Sequence, residues 1–431
     1  MEAPKVVIVG SSYSGAAVFN YLVNSLEKCR QPFDILFIAD KNYYFFKPLL
    51  LQFLCNNCSL TDICHEFRSI KYLRPPITYL NSTVLNIDLK HKMIKTIMGQ
   101  TSFDYLVLAP ENDINETNSL FKNNCFQVNS ISEAVKLKNH IVRNLEVAAS
   151  PKDHNKQKAL LTISVIGANN YGIELVCSVS DLVNELMKNQ YPELNKSHLK
   201  VYLIEESNTI GTYSEPLCAN YLFYNLNKKG IKVLTNSKIT NIDINKIEIN
   251  NDKEIISGTV ICSTTNNSSS LIKNLLVKKD EKFKAHVDLY LKAQGMDDVF
   301  VIGESSKCID LSERLANNIC FYNEQAKACA LNIISTINNN PLKAFKPNEE
   351  IDFISLGSKN SLAKIKRFYF GGLVAWFINR LMYVFCFLSP SKKIKALAGL
   401  FANLTGFNDY VSFNELSLEE EKQLVTAGKI N

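Results

Sequence analysis

Short apolar runs, each closed by a glycine-rich turn, punctuate the first three quarters of the chain. Lys5 to Val9 (KVVIV) is apolar at every second and third position alike, the pattern of a strand buried on both faces of a parallel sheet. Gly10-Ser11-Ser12-Tyr13-Ser14-Gly15 follows, and Ala16 to Leu26 then reads as a helix. A second run, Asp34 to Ala39 (DILFIA), ends at Asp40. The same order returns later: Leu161 to Ile166 (LTISVI), Gly167-Ala168-Asn169-Asn170-Tyr171-Gly172, a helix from Ile173 to Met187, then Lys200 to Ile204 (KVYLI) ending at Glu205. Phe103 to Ala109 and Asp298 to Ile302 read as further buried strands. The latter runs into Gly303-Glu304, and a helix is expected from about Arg314 to Ile337. Residues 338–350, rich in Asn, Pro and charge, mark a boundary.

The tail changes character. Phe368 to Leu388 is dense in aromatic and aliphatic residues, yet Asn379 and Arg380 fall at its middle. Lys364, Lys366 and Arg367 precede it, Lys392, Lys393 and Lys395 follow, and a second apolar patch runs from Ile394 to Leu404. Three readings are open: a spanning helix, a helix lying in the membrane interface, or a helix buried in a core or dimer interface. An arginine at the bilayer centre would cost about 2.5–3.5 kcal/mol. The interfacial reading avoids that cost, keeping Arg380 and the lysines at the headgroups with Trp376 and the phenylalanines below.

At 431 residues the chain exceeds one ordinary hydrophobic core, so two domains and a tail are expected. With 46% hydrophobic and 21% charged residues, disorder and fibrous classes are excluded. The formal charge of +6 is mild, and the lysines are scattered rather than striped, so no nucleic-acid partner is expected. Twelve Cys in a chain of this length do not form a secreted disulfide framework, and the six His do not pair with Cys at zinc spacing, so no metal site is expected. Met1 to Lys5 leads straight into a strand, which is read as a cytosolic start with reduced thiols.

Strand, glycine turn, helix, strand and terminal acid together form the dinucleotide-binding fingerprint. Gly10 permits the tight turn, Gly15 lets helix and strand pack closely, and the helix N-terminus offers amides to a diphosphate. Asp40 is placed to accept hydrogen bonds from adenosine ribose hydroxyls. Ser12 stands where a second glycine is usual. In the second motif Gly167 and Gly172 are in place, and Asn169 stands at the point of closest approach, where tolerance of positive φ is expected to matter. Glu205 would bind ribose hydroxyls and repel a 2′-phosphate, favouring NADH. A βαβ unit that has lost dinucleotide binding is the alternative for either motif. Cys55 and Cys58 form a C-x-x-C shortly after Asp40, open between a redox pair and packing.

VVIVGSSYSGAA, ADKNYYFFKPLL, SVIGANNYGIELV with VYLIEES, DVFVIGES and GGLVAWFINRLMYVFCFL resemble the type II NADH:quinone oxidoreductases, over nearly the whole chain. The resemblance implies an α/β fold of two Rossmann-like, doubly wound dinucleotide-binding domains, the second inserted in the first, plus a C-terminal amphipathic helical membrane-binding tail. The segments would be 1–112 and 279–345 for FAD, 113–278 for NADH, and 346–431 for the membrane-associating region. Carried over by position, Gly10, Ser12, Gly15, Asp40, Lys47, Pro48, Val84, Ala109, Gly303 and Glu304 would hold FAD. Gly167, Asn169, Gly172 and Glu205 would hold NADH. Glu174 would face the nicotinamide and flavin, and Gln325 would line a quinone pocket. The implied activity is hydride transfer from NADH to flavin and electron delivery to a membrane quinone without proton pumping. Residues 367–404 would meet the membrane surface, peripherally at the cytoplasmic face of the inner membrane, and a homodimer is left open. The chain departs from the pattern at Pro110-Glu111, where a small residue and glycine are usual, at Glu304 in place of Asp, and at Cys320 in place of a first Gln. A soluble or protein acceptor, or a flavin-bearing scaffold without hydride transfer, are the rival readings.

Overall fold

The computed structural model describes residues 3–389 and 393–394, apart from 71–74, 113–123, 151–153, 212–214, 244, 264–267, 312–317, 348–350 and 367. The expected apolar patch Ile394 to Leu404 therefore lies almost wholly outside the described residues.

The chain opens with β1 (Lys5–Val9), α1 (Tyr13–Ser25) and β2 (Asp34–Ala39). A short helix α2 (Leu50–Leu54), β3 (Ile77–Asn81) and β4 (Tyr105–Leu108) complete the first unit. The second unit supplies β5 (Thr162–Ile166), α3 (Asn170–Asn189), β6 (Lys200–Ile204), β7 (Ile231–Leu234) and β8 (Thr259–Cys262). The chain then returns as β9 (Val299–Val301), which pairs in parallel with β4 of the first sheet. The second unit is thereby inserted in the first.

The two units repeat one plan. The first sheet has the order β9-β4-β1-β2-β3 and the second β7-β6-β5-β8, all parallel, so each glycine-turn strand lies between the acid-ending strand and one further strand, β4 in the first unit and β8 in the second. Each also carries a three-stranded antiparallel meander before its last strand, within residues 84–102 and 239–256. The central strands are buried along their length, as an all-parallel sheet with covered faces requires. In this topology ligands bind in the crevice outside the carboxyl ends of the strands, where the turns lie.

After β9, α4 (Ile319–Ile337) packs against α1, and its Asn323 Oδ1 accepts from the Tyr13 and Tyr21 hydroxyls at 3.1 and 3.3 Å. The tail is not simply helical, which corrects the sequence expectation. It opens with an antiparallel sheet of β10 (Ile351–Ser355), β11 (Ser361–Ile365) and β12 (Phe368–Gly372), and only then forms α5 (Leu373–Cys386). Ile354, Leu356 and Leu362 join the second unit's core beside α3, so this sheet is fixed to the body by apolar burial. No described helix is long and apolar enough to cross a membrane.

The α5 orientation overturns a second expectation. Arg380 is 8% exposed and Trp376 is equally buried, so Arg380 does not stand at a headgroup layer nor Trp376 below one. The guanidinium lies 5.6 Å from the Trp376 ring centroid and 5.9 Å from that of Tyr383. The outer face carries Leu373, Val374, Phe377 and Phe385, each 45–68% exposed. The helix is amphipathic with its charge inward.

Candidate active site

Both turns are built around glycines that nothing else replaces. Gly10 has φ +131°, and a Cβ there would lie 2.1 Å from the Ala109 carbonyl oxygen. A Cβ on Gly15 would lie 2.5 Å from the Gly10 carbonyl oxygen. In the second turn Gly167 has φ +93°, and a Cβ on Gly172 would meet the Gly167 oxygen at 1.9 Å. Only backbones without side chains bring helix and strand this close.

At the position between the glycines, both turns use a capping side chain. Ser12 Oγ accepts from Gly15 N at 3.3 Å and donates to the Ala109 oxygen at 2.7 Å. Asn169 Oδ1 accepts from Gly172 N at 2.8 Å and from Ser263 Oγ at 2.9 Å. Asn169 has φ −65°, so the reason expected from sequence, tolerance of positive φ, does not apply. It is an N-cap, chosen for its carbonyl oxygen, and its side chain folds along the helix start toward Ser263.

The strand-end acids differ. Asp40 is exposed at the end of β2, beside the Ser82 amide that donates to Ala39. Val84 begins the adjoining meander. Glu205 is turned back, its oxygens accepting from Ala168 N at 2.6 Å and Ser207 N at 3.0 Å. Partial burial works to raise its pKa, but those backbone donors outweigh it and hold the carboxyl below the ordinary range. An ionised Glu205 is acceptor-only, the partner that a ribose hydroxyl donor needs.

From Gly10 the crevice runs past Gly303 to Glu304. Gly303 has φ +81° and lies against Ser14, whose Oγ a Cβ would meet at 2.9 Å. The Glu304 carboxylate takes Lys47 Nζ at 3.2 Å and Asn112 Nδ2 at 2.8 Å. Gln325 is 2% exposed; its Oε1 accepts from Gly303 N at 2.7 Å and its Nε2 donates to Ser306 Oγ at 3.0 Å. Its amide is engaged in shaping the Gly303 turn, and it does not line the cavity described next.

A small polar cavity, with room for about one water, is lined by Pro48, Leu51 and Gln52 from the first unit, Glu174 and Ser178 from α3, Ser355, and Asn379, Arg380 and Tyr383 from α5. Glu174 Oε1 accepts from Ser355 N at 2.7 Å. Burial pushes the Glu174 carboxyl up to about 7, opposed by the Ser355 amide, aided by Asp352 and opposed by Arg380. The side-chain oxygens of Ser178 and Asn379 find no partner among the described residues, which leaves polar atoms for a ligand in the cavity. The sequence pointed to Glu174 and Pro48 but missed Gln52, Ser355, Asn379, Arg380 and Tyr383 as neighbours. Arg380 inside an apolar run was the available signal, since a charge in such a run either faces water or faces a site.

The thiols divide. Cys55 is buried and donates to the Ser178 oxygen at 3.1 Å, and burial raises its pKa far above the thiol range. Burial pushes Cys58 up to about 12. Both stay protonated, which favours packing over redox chemistry. Cys320, by contrast, lies 3.5 Å from Cys386 at the end of α5, and that thiol's hydrogen bond lowers its pKa. Among the described residues no cluster of His, Cys, Asp and Glu could hold a metal.

The cradle where a Cβ would collide, the helix start behind it and the acid at the next strand end fit a diphosphate with an attached ribose, once in each unit. A profile described as "Pyridine nucleotide-disulphide oxidoreductase" matches residues 4–318. The chain belongs to the pyridine nucleotide-disulphide oxidoreductase family. Among family relatives, the Type II NADH:quinone oxidoreductase Ndh of Mycobacterium tuberculosis is 23% identical over 414 residues, covering 91% of this chain and 86% of that protein. The mitochondrial external alternative NAD(P)H-ubiquinone oxidoreductase B2 of Arabidopsis thaliana is 22% identical over 72% of this chain, which spans 55% of that relative's length. The NDH2 structure from Plasmodium falciparum in complex with NADH matches with a TM-score of 0.81 at 17% identity, covering 95% of this chain and all of that one.

Proposed function

We propose that this oxidoreductase takes a hydride from NADH, held by the second unit, onto FAD held by the first, and passes the electrons to a quinone. The observation that carries the reading is the Glu174 cavity, whose walls come from both units and from the tail. A site for joining two redox partners needs walls from both nucleotide-holding units, and the lining of this cavity supports that reading. The names of the relatives from M. tuberculosis and A. thaliana support NADH as donor and quinone as acceptor.

When bound, the flavin supplies hydride acceptance and electron delivery. The chain binds, orients and moves protons. Gly10, Ser12, Gly15 and the opening amides of α1 would hold the diphosphate, Asp40 the ribose, with Val84 and Ala109 flanking. Gly303, Glu304, Lys47 and Pro48 would border the ring end, and Gln325 fixes the Gly303 turn. Gly167, Asn169, Gly172 and Glu205 would hold NADH, with Glu205 repelling a 2′-phosphate. Glu174, with a pKa pushed up to about 7, exchanges a proton readily near neutrality and is the group to serve an acceptor that takes up protons. Arg380, Asn379 and Tyr383 close the cavity against water.

The outer face of α5 would rest peripherally on a membrane surface, with Leu373, Val374, Phe377 and Phe385 among the acyl chains and Lys364 and Lys366 near the headgroups. That places the protein on whichever aqueous side holds NADH.

The test is anaerobic mixing of the purified, yellow protein with NADH. Loss of flavin absorbance near ~450 nm, a property of the cofactor, followed by its return on adding a short-chain quinone, is expected. A protein that binds FAD but keeps its absorbance with NADH would reject hydride transfer. Return with a soluble dye but with no quinone would reject the acceptor.

A further inference from the structure

The loop after β4 brings a carboxylate to the place where a diphosphate must arrive. Ala109 and Pro110 lie directly over Gly10, the Pro110 nitrogen only 2.6 Å from where a Gly10 Cβ would be. Ser12 pins this loop through the Ala109 oxygen. Glu111 is the next residue of this loop, two positions on from the Ala109 that Ser12 at the start of α1 pins, and that helix start favours an anion. Its side chain is three-quarters buried, and its Oε2 lies 2.5 Å from Lys41 Nζ.

Lys41 directly follows Asp40, and its carbonyl oxygen accepts from the Tyr79 hydroxyl at 2.8 Å, which fixes the lysine at the ribose end of the crevice. Loss of water raises the Glu111 pKa, the Lys41 charge opposes that rise, and Asp40 adds to it. The next residue, Asn112, extends the belt: it donates to Glu304 and accepts from Ser305 Oγ at 3.3 Å. Two carboxylates, Glu111 and Glu304, thus face the path of a doubly charged ligand, with one lysine assigned to each.

We propose that the Lys41–Glu111 pair is a clasp over the diphosphate subsite, in which Glu111 competes with the dinucleotide's diphosphate for Lys41 and so sets how tightly the adenine dinucleotide is held. One cation has two anionic claimants. The diphosphate carries more charge than a carboxylate and accepts the charge-assisted bond better. Loading therefore transfers Lys41 from Glu111 to phosphate and leaves Glu111 as a standing repulsion. The inference rests on the reading of the first unit as the FAD holder.

The experiment uses the full chain stripped of flavin, with FAD affinity read from quenching of flavin fluorescence and ADP and adenosine affinities from competition. Glu111→Gln keeps the shape and removes the charge. It is expected to tighten FAD and ADP by about tenfold and leave adenosine, which has no phosphate, unchanged. Lys41→Met is expected to weaken FAD and ADP by about tenfold in both the unaltered and the Glu111→Gln background. Should Glu111→Gln melt early, Glu111→Ala is expected to show the same tightening. Unchanged or weakened FAD binding in both Glu111 variants, or equal tightening of adenosine, overturns the clasp. If the unaltered chain takes up FAD and those results appear, only the clasp fails. If the unaltered chain takes up no FAD, the FAD reading fails and the clasp with it.

Discussion

A carboxyl largely removed from water between α3 and β10 resists ionising at its ordinary pH. Glu174 has its pKa raised from 4.5 to about 7, so the folded state holds a proton that the unfolded chain has already lost. The stability tied to that proton is complete below pH 4.5 and is lost as pH rises through about 7. Between about pH 5 and pH 8, urea titrations of the native chain should lose about 2–3 kcal/mol relative to Glu174→Gln, whose curve lacks this component. An identical pH dependence in the two proteins would remove Glu174 from its assigned role. Gly172 gives a second residue-level prediction. An alanine there would drive a methyl into the Gly167 carbonyl, so Gly172→Ala should cost about 1–3 kcal/mol in a thermal melt and abolish measurable NADH binding by calorimetry.

At the scale of elements, the strands, turns and helices of both fingerprints were legible because each apolar run is short, continuous and closed by a glycine. The expected helices each start three residues late, since Tyr13 and Asn170 lie inside the turns by sequence and inside the helices by backbone. The two meanders and β10 to β12 were not legible. Their strands are short and half exposed, and their registers are set by partners, not by a run of apolar residues. The direction of α5 was misread for a related reason: two of the groups that face Arg380, Cys58 and Glu174, are remote from it in sequence. Arg380→Met should therefore raise the Glu174 pKa further and move the midpoint of the pH–rate profile upward by about one unit. The opposite face is independent of this. Replacing Leu373, Phe377 and Phe385 together with serine should leave the thermal melt nearly unchanged while weakening co-sedimentation with anionic vesicles by at least about tenfold. Full retention on vesicles would reject that face as the contact.

At the scale of the molecule, duplication is the part the sequence expressed most clearly, because two copies of one spacing do not arise from packing alone. Both sheets place their glycine-turn strand next to their acid-ending strand, and β9, which follows the second unit in the chain, pairs back with β4 to complete the first sheet. A ligand of the first unit should thus stabilise the whole chain. FAD at about a hundred times its dissociation constant should add about 2.7 kcal/mol to unfolding, read as a higher melting temperature. The Lys41–Glu111 pair, the Asn112 bridge and the Glu174 chamber join residues far apart in sequence, which no local pattern encodes. Since α5 offers its greasy side outward and its arginine to the chamber, a tailless version would lose the side proposed to meet lipid and the chamber's roof in one cut. Failure of such a shortened chain to turn over would say nothing about whether lipid is needed, and only changes confined to the outer side can separate attachment from chemistry.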